Sequence, residues 1–455
     1  MRFKVLMQVA VLIMLTSSIG WGETPSNASS LSGIVQNTDG NPISADVTVY
    51  QMQVQDGLLV PHFVCSSMTD RNGRYACERL EPGAYVLTAA LLQAPAIKTK
   101  TQEGSTQHEA STPKVKTPPP AYSGFRAQNG KPTSPVIAHY PESSELKPWD
   151  LIHIGPDDSQ IANIYIDPSE MSTLRAQPAL GHATGQVDIY LQGDGFVVPL
   201  NIQAGVDSTN GSYVWPGLTA GDYRVAENWV TGSKEHKAIR YVTLPPASIK
   251  TISMAGNEFV QVDGRISSAK NTGSMAKQIV LNGATFQDAA QHYTTTIRKD
   301  GSFTFRDVLP GTYRIAFPVA EGDEVTSVSD GGDTLTSNAI GVSESPADID
   351  ITDKPATGAI SGRLQLDGGE PKPGIVIESL DSLTSVAISV NNDGTFMIRG
   401  LAAGRYRVLG WADISKVPYM DSNFLSHYAD KGASVEVDGN AVTEGVNVPC
   451  NVTGL

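Results

Sequence analysis

One spacing occurs four times in this chain and narrows its fold more than any other feature. The stretches are NGRYACERLEPGAYVL (72–87), NGSYVWPGLTAGDYRV (210–225), DGSFTFRDVLPGTYRI (300–315) and DGTFMIRGLAAGRYRV (393–408). In each, Asn-Gly or Asp-Gly stands just before an aromatic: Tyr75, Tyr213, Phe303 and Phe396. An apolar residue follows five positions later, at Leu80, Leu218, Val308 and Leu401. A glycine comes three further on, at Gly83, Gly221, Gly311 and Gly404, and a tyrosine closes the unit at Tyr85, Tyr223, Tyr313 and Tyr406. The distance from aromatic to tyrosine is ten residues in all four, the mark of an internal structural repeat.

Each position has a physical role. Asn-Gly and Asp-Gly accept the positive φ that tight turns need. The aromatic and the residue two further on (Cys77, Trp215, Phe305, Ile398) share one strand face, because side chains alternate. That face points into a core. The glycine lets the chain bend before the next strand. The tyrosine starts that strand, with its ring buried and its hydroxyl free to bond back to the loop, as in a tyrosine corner.

Two strands cannot bury a core, so the flanks must supply more. Alternating apolar runs lie upstream at 32–50, 184–192, 263–283 and 361–380, and downstream at 161–166, 248–254, 347–352 and 433–448. Several short antiparallel strands per unit describe a β-sandwich. The expected sandwiches are 31–168, 180–256, 257–353 and 356–450. Residues 94–148 carry nine prolines and almost no strand pattern, so they are expected as a disordered insert in the first sandwich. The remaining chain gives roughly 95 residues per unit, close to the ~100 of a sandwich.

The N-terminus has the pattern of a secretory signal peptide: Arg2 and Lys4, an apolar run from Val5 to Leu15, and small residues ending at Gly22. Cleavage is expected after Gly22, removing residues 1–22. The apolar run is short for a membrane anchor, and no later stretch is long enough to span a bilayer. The formal charge of −14 with no Lys/Arg block speaks against nucleic acid as a partner.

The repeated stretch with its preceding Gly-led strand resembles the carboxypeptidase regulatory-like domains. It is similar more broadly to transthyretin-like and collagen-adhesin B-type modules of secreted bacterial proteins. The resemblance covers most of residues 31–450. It implies an all-β chain of tandem immunoglobulin-like, transthyretin-like, seven-stranded β-sandwiches behind a cleaved signal peptide. It implies little about activity, since the module accompanies metallocarboxypeptidases and is not itself the peptidase. B-type adhesin modules often form a Lys–Asn isopeptide bond beside an acid. Glu227 stands roughly where that acid could be, but 184–192 and the opening runs of units one and four contain no lysine.

Motifs for catalysis are sparse, and no catalytic residue, cofactor or metal site is expected. A single His-x-x-Glu, His139 to Glu142, lies at the edge of the Pro-rich insert with no helix to align it. Asp157-Asp158 and SDGGD (329–333) lack a complete calcium-loop spacing and are expected in solvated turns. Cys65 and Cys77 flank the turn at 70–73 and would face each other across a hairpin there. They are either a disulfide of an exported protein or two buried thiols. Trp229, Trp411 and Tyr419 follow the Tyr-led strands of units two and four. Such aromatics either stack on sugar rings or cover the end of a core. Arg224, Arg314 and Arg407 alternate outward and are expected as solvated sheet-face residues.

The sequence therefore points to an exported, non-enzymatic protein, periplasmic, cell-surface or extracellular. Its partner would be an envelope protein or a polysaccharide. A structural or protein-binding module, a carbohydrate-binding protein with a starch-binding-like fold, and an accessory protein of a peptidase are the three functions it leaves open.

Overall fold

A computed structural model of the chain describes residues 29–91, 137–141, 145–180, 185–256, 258–268, 278–284, 291–335, 337–343 and 347–451. The expected signal peptide with its cleavage after Gly22, the bulk of the Pro-rich insert and Glu142 lie outside these residues. The described chain is all-β, built of tandem β-sandwiches with one short α-helix, Ser422–His427, and is taken as four successive units.

The sandwiches share one plan of seven strand positions, which the first unit fills with two short strands at the sixth (Ile137–Tyr140, Ile152–Ile154) and two at the seventh (Ser159–Ile161, Ile164–Ile166), and to which the second adds Gly205–Val206 beside its fourth strand. In the fourth unit the strands run Gly358–Gln365, Gly374–Ser379, Thr384–Ser389, Thr395–Leu401, Gly404–Trp411, Ala433–Val437 and Val442–Asn451. One sheet has the order fourth–first–seventh, the other third–second–fifth–sixth. The repeated stretch is the fourth strand, the crossing from one sheet to the other, and the fifth strand. The third unit adds Asp323–Asp330 and Asp333–Thr334 beside its closing strand.

The repeat behaves as its residue types require. The turn glycines Gly73, Gly211, Gly301 and Gly394 all have positive φ, between 71° and 81°. Tyr75, Tyr213, Phe303 and Phe396 are buried, as are Cys77, Trp215, Phe305 and Ile398. The closing tyrosines are buried too, and each hydroxyl donates to the carbonyl four residues earlier. Tyr85 reaches Glu81, Tyr223 reaches Thr219, Tyr313 reaches Leu309 and Tyr406 reaches Ala402.

Three glycines of the opening strands face the first aromatic directly: Gly33 with Tyr75, Gly264 with Phe303 and Gly362 with Phe396. A Cβ at Gly33 would come 2.9 Å from Tyr75 Cε1, and one at Gly362 would come 2.8 Å from Phe396 Cζ. The glycine leaves room for the ring to lie over the strand, and the ring covers backbone that a side chain would otherwise shield.

Four features depart from the sequence reading. The closing strand of each unit runs parallel to its opening strand: Ile164–Ile166 beside Ser29–Asn37, Ile249–Ser253 beside Ser172–Gln177, Ala347–Pro355 beside Val260–Ser268, and Val442–Asn451 beside Gly358–Gln365. The second unit opens earlier than 180. Ser172–Gln177 takes the first-strand position, and the run at 184–192 falls on the second strand, Gln186–Gly193. Ala176 faces Tyr213 where the other units have glycine, so the glycine signal is missing from that strand. The insert ends before 148, because Ile137–Tyr140 already pairs with Gly83–Leu91. Finally, Leu58–Met68 and Arg74–Leu80 are not a hairpin. The first pairs within one sheet and the second within the other, so Cys65 and Cys77 face each other between sheets.

The sandwiches pack on one another. The outer face of a first-unit sheet, with Tyr50, Met52, Leu59, Ala84 and Val86, joins the core of the second unit in one apolar cluster. Ala226 and Ile239 of the second unit meet Leu309 of the third. Arg314 of the third unit donates to the Asp381 carbonyl of the fourth at 2.6 Å, and Asn282 donates to that of Leu383 at 2.7 Å. The fourth unit returns to the first, where the Met420 N–H donates to the Gly57 carbonyl at 2.9 Å. The contacts thus close a ring of four units.

Candidate functional site

Among the described residues, two places where polar and aromatic side chains meet across units stand out as candidates. The first is a cleft of about 890 Å³ between units two and three, lined by Trp229, His236, Lys237, Glu258, Phe259 and Arg306 among others. The long hairpin Gly221–Thr231 and Lys234–Leu244 brings Trp229, His236 and Lys237 to it near its turn. Trp229 and His236 are cross-strand partners, and their rings stack at 5.3 Å with an 8° interplanar angle. His236 Nδ1 lies 3.1 Å from Glu258 Oε2, and Lys237 Nζ lies 5.3 Å over the Phe259 ring. Trp229 and Phe259 therefore each carry a polar side chain against the ring, and all four residues line the cleft.

The second place is a junction of units one, two and four. Residues 412–431 separate the fifth and sixth strands of unit four and lie over the outside of its sheet. There Trp411, Ile414, Val417, Phe424, Leu425 and Tyr428 form a small core of their own with Val376 and Leu409. Beneath this layer Glu378 is buried and pairs with Arg407 at 3.1 Å. Burial pushes the Glu378 carboxyl up, and Arg407 opposes that shift. The loop before the helix seats two Asp-Gly turns, Asp56-Gly57 of unit one and Asp194-Gly195 of unit two. Both glycines have positive φ, 79° and 76°. A Cβ at Gly57 would come 2.6 Å from Met420 Cγ and 2.7 Å from Tyr419 Cζ, and one at Gly195 would overlap the Asp421 carboxylate. Asn423 Nδ2 donates to Asp194 Oδ1 at 2.9 Å, and Trp149 stacks on His427 at 3.9 Å.

The sugar-stacking candidates are not open platforms. Trp411 is 0% exposed and Trp229 4%, both packed in cores because large rings gain most from full burial. Tyr419 is half-buried against Gly57, and its carbonyl accepts from the Ser385 hydroxyl. The outward arginines are half-buried and engaged as well. Arg224 lies 4.6 Å over the Tyr190 ring, Arg314 bonds to unit four, and Arg407 pairs with Glu378. They do face out of their own sandwiches, but those faces are covered by neighbouring chain.

The Sγ atoms of Cys65 and Cys77 are in bonding contact, with Cα atoms 6.5 Å apart, and Cys77 sits in the core. His139 is buried in a strand, its Nδ1 2.8 Å from the Pro141 carbonyl, and burial holds its pKa below the usual histidine range. Glu227 is buried and accepts from the Ala179 N–H at 2.9 Å and the Tyr213 hydroxyl at 3.3 Å; burial pushes its carboxyl up. The strand Ser172–Gln177, which opens that unit, contains no lysine. Asp158 accepts from Gln160 within its own turn at 2.7 Å, and Asp330 and Asp333 face each other across a tight hairpin. Among the described residues, no group of three or more His, Cys, Asp or Glu side chains could hold a metal ion. No helix among them is long and apolar enough to cross a membrane.

The sequence reading did not find the two Asp-Gly seats or the layer at 412–431. Asp56-Gly57 and Asp194-Gly195 were legible as turns, but nothing local marks them as contacts to residues more than 200 positions away.

Fold and junctions together define a modular protein of tandem immunoglobulin-like β-sandwiches. A family model for domain II of polysaccharide lyase family 4 matches residues 264–322, within the third unit. No curated protein matches the chain. Similar solved structures include the Bacillus anthracis TIE protein, 10% identical over 89% of this chain and 68% of that one, with a TM-score of 0.17. They also include a streptococcal ancillary pilin, 12% identical over 61% of this chain and 99% of that one, TM-score 0.19. A third is BcpA, the major pilin subunit of Bacillus cereus, 12% identical over 71% of this chain and 98% of that one, TM-score 0.16.

Proposed function

We propose that this is an exported, non-enzymatic β-sandwich protein that serves as a rigid structural or protein-binding body at the cell envelope. One observation carries the reading: sheet faces that a free binding module would leave open are packed against the next unit, as Tyr50, Met52 and Val86 are. Apolar burial of this kind opposes independent motion of the sandwiches. The signal-peptide pattern at 1–22 supports export. The division into units at about 29–166, 172–253, 260–355 and 358–451 is part of the same proposal.

The competing reading is carbohydrate binding, supported by the family model over 264–322 and the polar cleft beside Trp229. Electrophoresis of mature 23–455 through gels containing soluble polysaccharides separates the two. The scaffold reading expects unchanged mobility across a broad glycan panel, together with recovery of the protein in the envelope fraction of its cells. Specific retardation by one glycan, or residence in the cytoplasm, overturns it. Trp229→Ala and Trp411→Ala are expected to lower stability by about 3–5 kcal/mol, as losses of buried aromatics do, so any effect on retardation is read only at temperatures where both variants stay folded.

A further inference from the structure

Asp421 sits at the centre of the three-unit junction and is 7% exposed. Its Oδ1 accepts from the N–H groups of Asn423 at 2.9 Å and Phe424 at 3.2 Å, capping the helix Ser422–His427. Its Oδ2 is turned to Gly195 of the second unit, so close that no side chain fits there.

The charged groups around this carboxyl are mostly of its own sign. Asp194 faces it from the second-unit turn, Asp56 stands at the neighbouring first-unit turn, and Glu378 lies behind it on the sheet. The Arg407 guanidinium is engaged by Glu378, and His427 at the far end of the helix is stacked on Trp149. The helix cap favours the ionised form of Asp421, whereas burial and Asp194 oppose it. Burial dominates, and the carboxyl is pushed up to about 6.

A carboxyl whose value is raised in the docked state favours docking most below its free value of about 4. That contribution is lost as pH rises through about 6. The four sandwich cores do not depend on this contact, since each has its own buried aromatics and aliphatics.

We propose that the contact between Asp421 and the Asp194-Gly195 turn is a proton-operated latch. Protonated Asp421 seats the fourth unit firmly on the second. Ionised Asp421 loosens that seat and leaves each sandwich folded. In an exported protein this couples the rigidity of the ring to the acidity of its surroundings.

Hydrogen–deuterium exchange of the whole mature chain tests the latch. Protection at 193–199 and 417–425 is followed between pH 4.5 and 8, corrected for intrinsic exchange, with the core strands as reference. In the native protein, protection of both segments is expected to fall by about tenfold between pH 5 and 7.5, part of the ~100-fold that two pK units allow over the full titration. Asp421→Asn keeps an oxygen for the helix cap but cannot ionise, so both segments are expected to stay protected across the range. Asp194→Asn keeps the acceptor for Asn423 and removes the like charge, which is expected to move the transition to lower pH. A pH profile in Asp421→Asn that matches the native one overturns the latch. If that variant does not fold, an unmoved midpoint in Asp194→Asn overturns it instead, as does a native protein whose protection is flat with pH.

Discussion

The Tyr223 hydroxyl donates to the Thr219 carbonyl at 2.8 Å, tying the start of one strand to the loop that delivers it. The same four-residue contact closes the corner of every sandwich. Burial raises the Tyr223 and Tyr313 rings' importance beyond the bond itself, since both are fully buried. Tyr223→Phe removes the bond and keeps the ring, and is expected to destabilise by about 1–2 kcal/mol. Tyr223→Ala also empties the core and is expected to cost about 3–5 kcal/mol. Urea titration of the two variants checks the ratio; equal losses would sink the corner as a separate contribution.

Gly57 tests the junction between units one and four. Gly57→Ala places a methyl group 2.6 Å from Met420 Cγ at a φ of 79°. Gly232 has a similar φ of 65° but nothing within 4 Å of its added Cβ. Gly232→Ala therefore measures backbone strain alone, about 1 kcal/mol. Gly57→Ala is expected to exceed it by a further 1–3 kcal/mol or so from overpacking. Limited proteolysis within 412–431 is expected to accelerate in Gly57→Ala and not in Gly232→Ala.

The cysteine pair makes a prediction about mass and stability together. Non-reduced peptide mapping is expected to recover Cys65 and Cys77 in one linked species. With a sequence separation of 12, the crosslink restricts a short loop of the unfolded chain. Its loss in Cys65→Ser/Cys77→Ser is expected to cost about 3 kcal/mol in a chain-entropy treatment. Two free thiols in protein purified under oxidising conditions would contradict the pairing.

Acid sensitivity is expected from the turns of the repeat. Asp300 Oδ1 accepts from the Ser302 N–H and hydroxyl at 3.1 and 2.7 Å, and Asp393 Oδ1 accepts from those of Thr395 at 3.0 and 2.6 Å. These side-chain and backbone hydrogen bonds hold both carboxyls below the usual aspartate range. A depressed value contributes stability that is present above the free value near 4 and is lost as pH falls through the folded one. Asp300→Asn/Asp393→Asn is therefore expected to show a smaller drop in urea midpoint between pH 6 and pH 3 than the native protein. A drop of the same size would assign acid sensitivity to other groups.

The repeat, and with it the sandwich class, was legible because its determinants lie within sixteen residues. Turn chemistry at Asp300-Gly301, alternation through Phe303 and Phe305, and the spacing to Tyr313 are all local. The opening strand of unit two was not legible, because Ala176 stands where the other units carry glycine. Trp229 and Trp411 could be named but not placed, since a strand pattern gives side-chain direction relative to its own sheet and not what covers that sheet.

By itself, the sequence determined four turn–strand–corner units and hence tandem sandwiches, because pleat, turn and corner each depend on a few neighbouring residues. Only the tertiary structure decided that Cys65 and Cys77 face each other between sheets, that Arg407 meets a buried Glu378, and that Gly57 and Gly195 seat against Met420 and Asp421. Those contacts join residues far apart in the chain. They rest on the fit of two surfaces, which leaves no period in either segment to read.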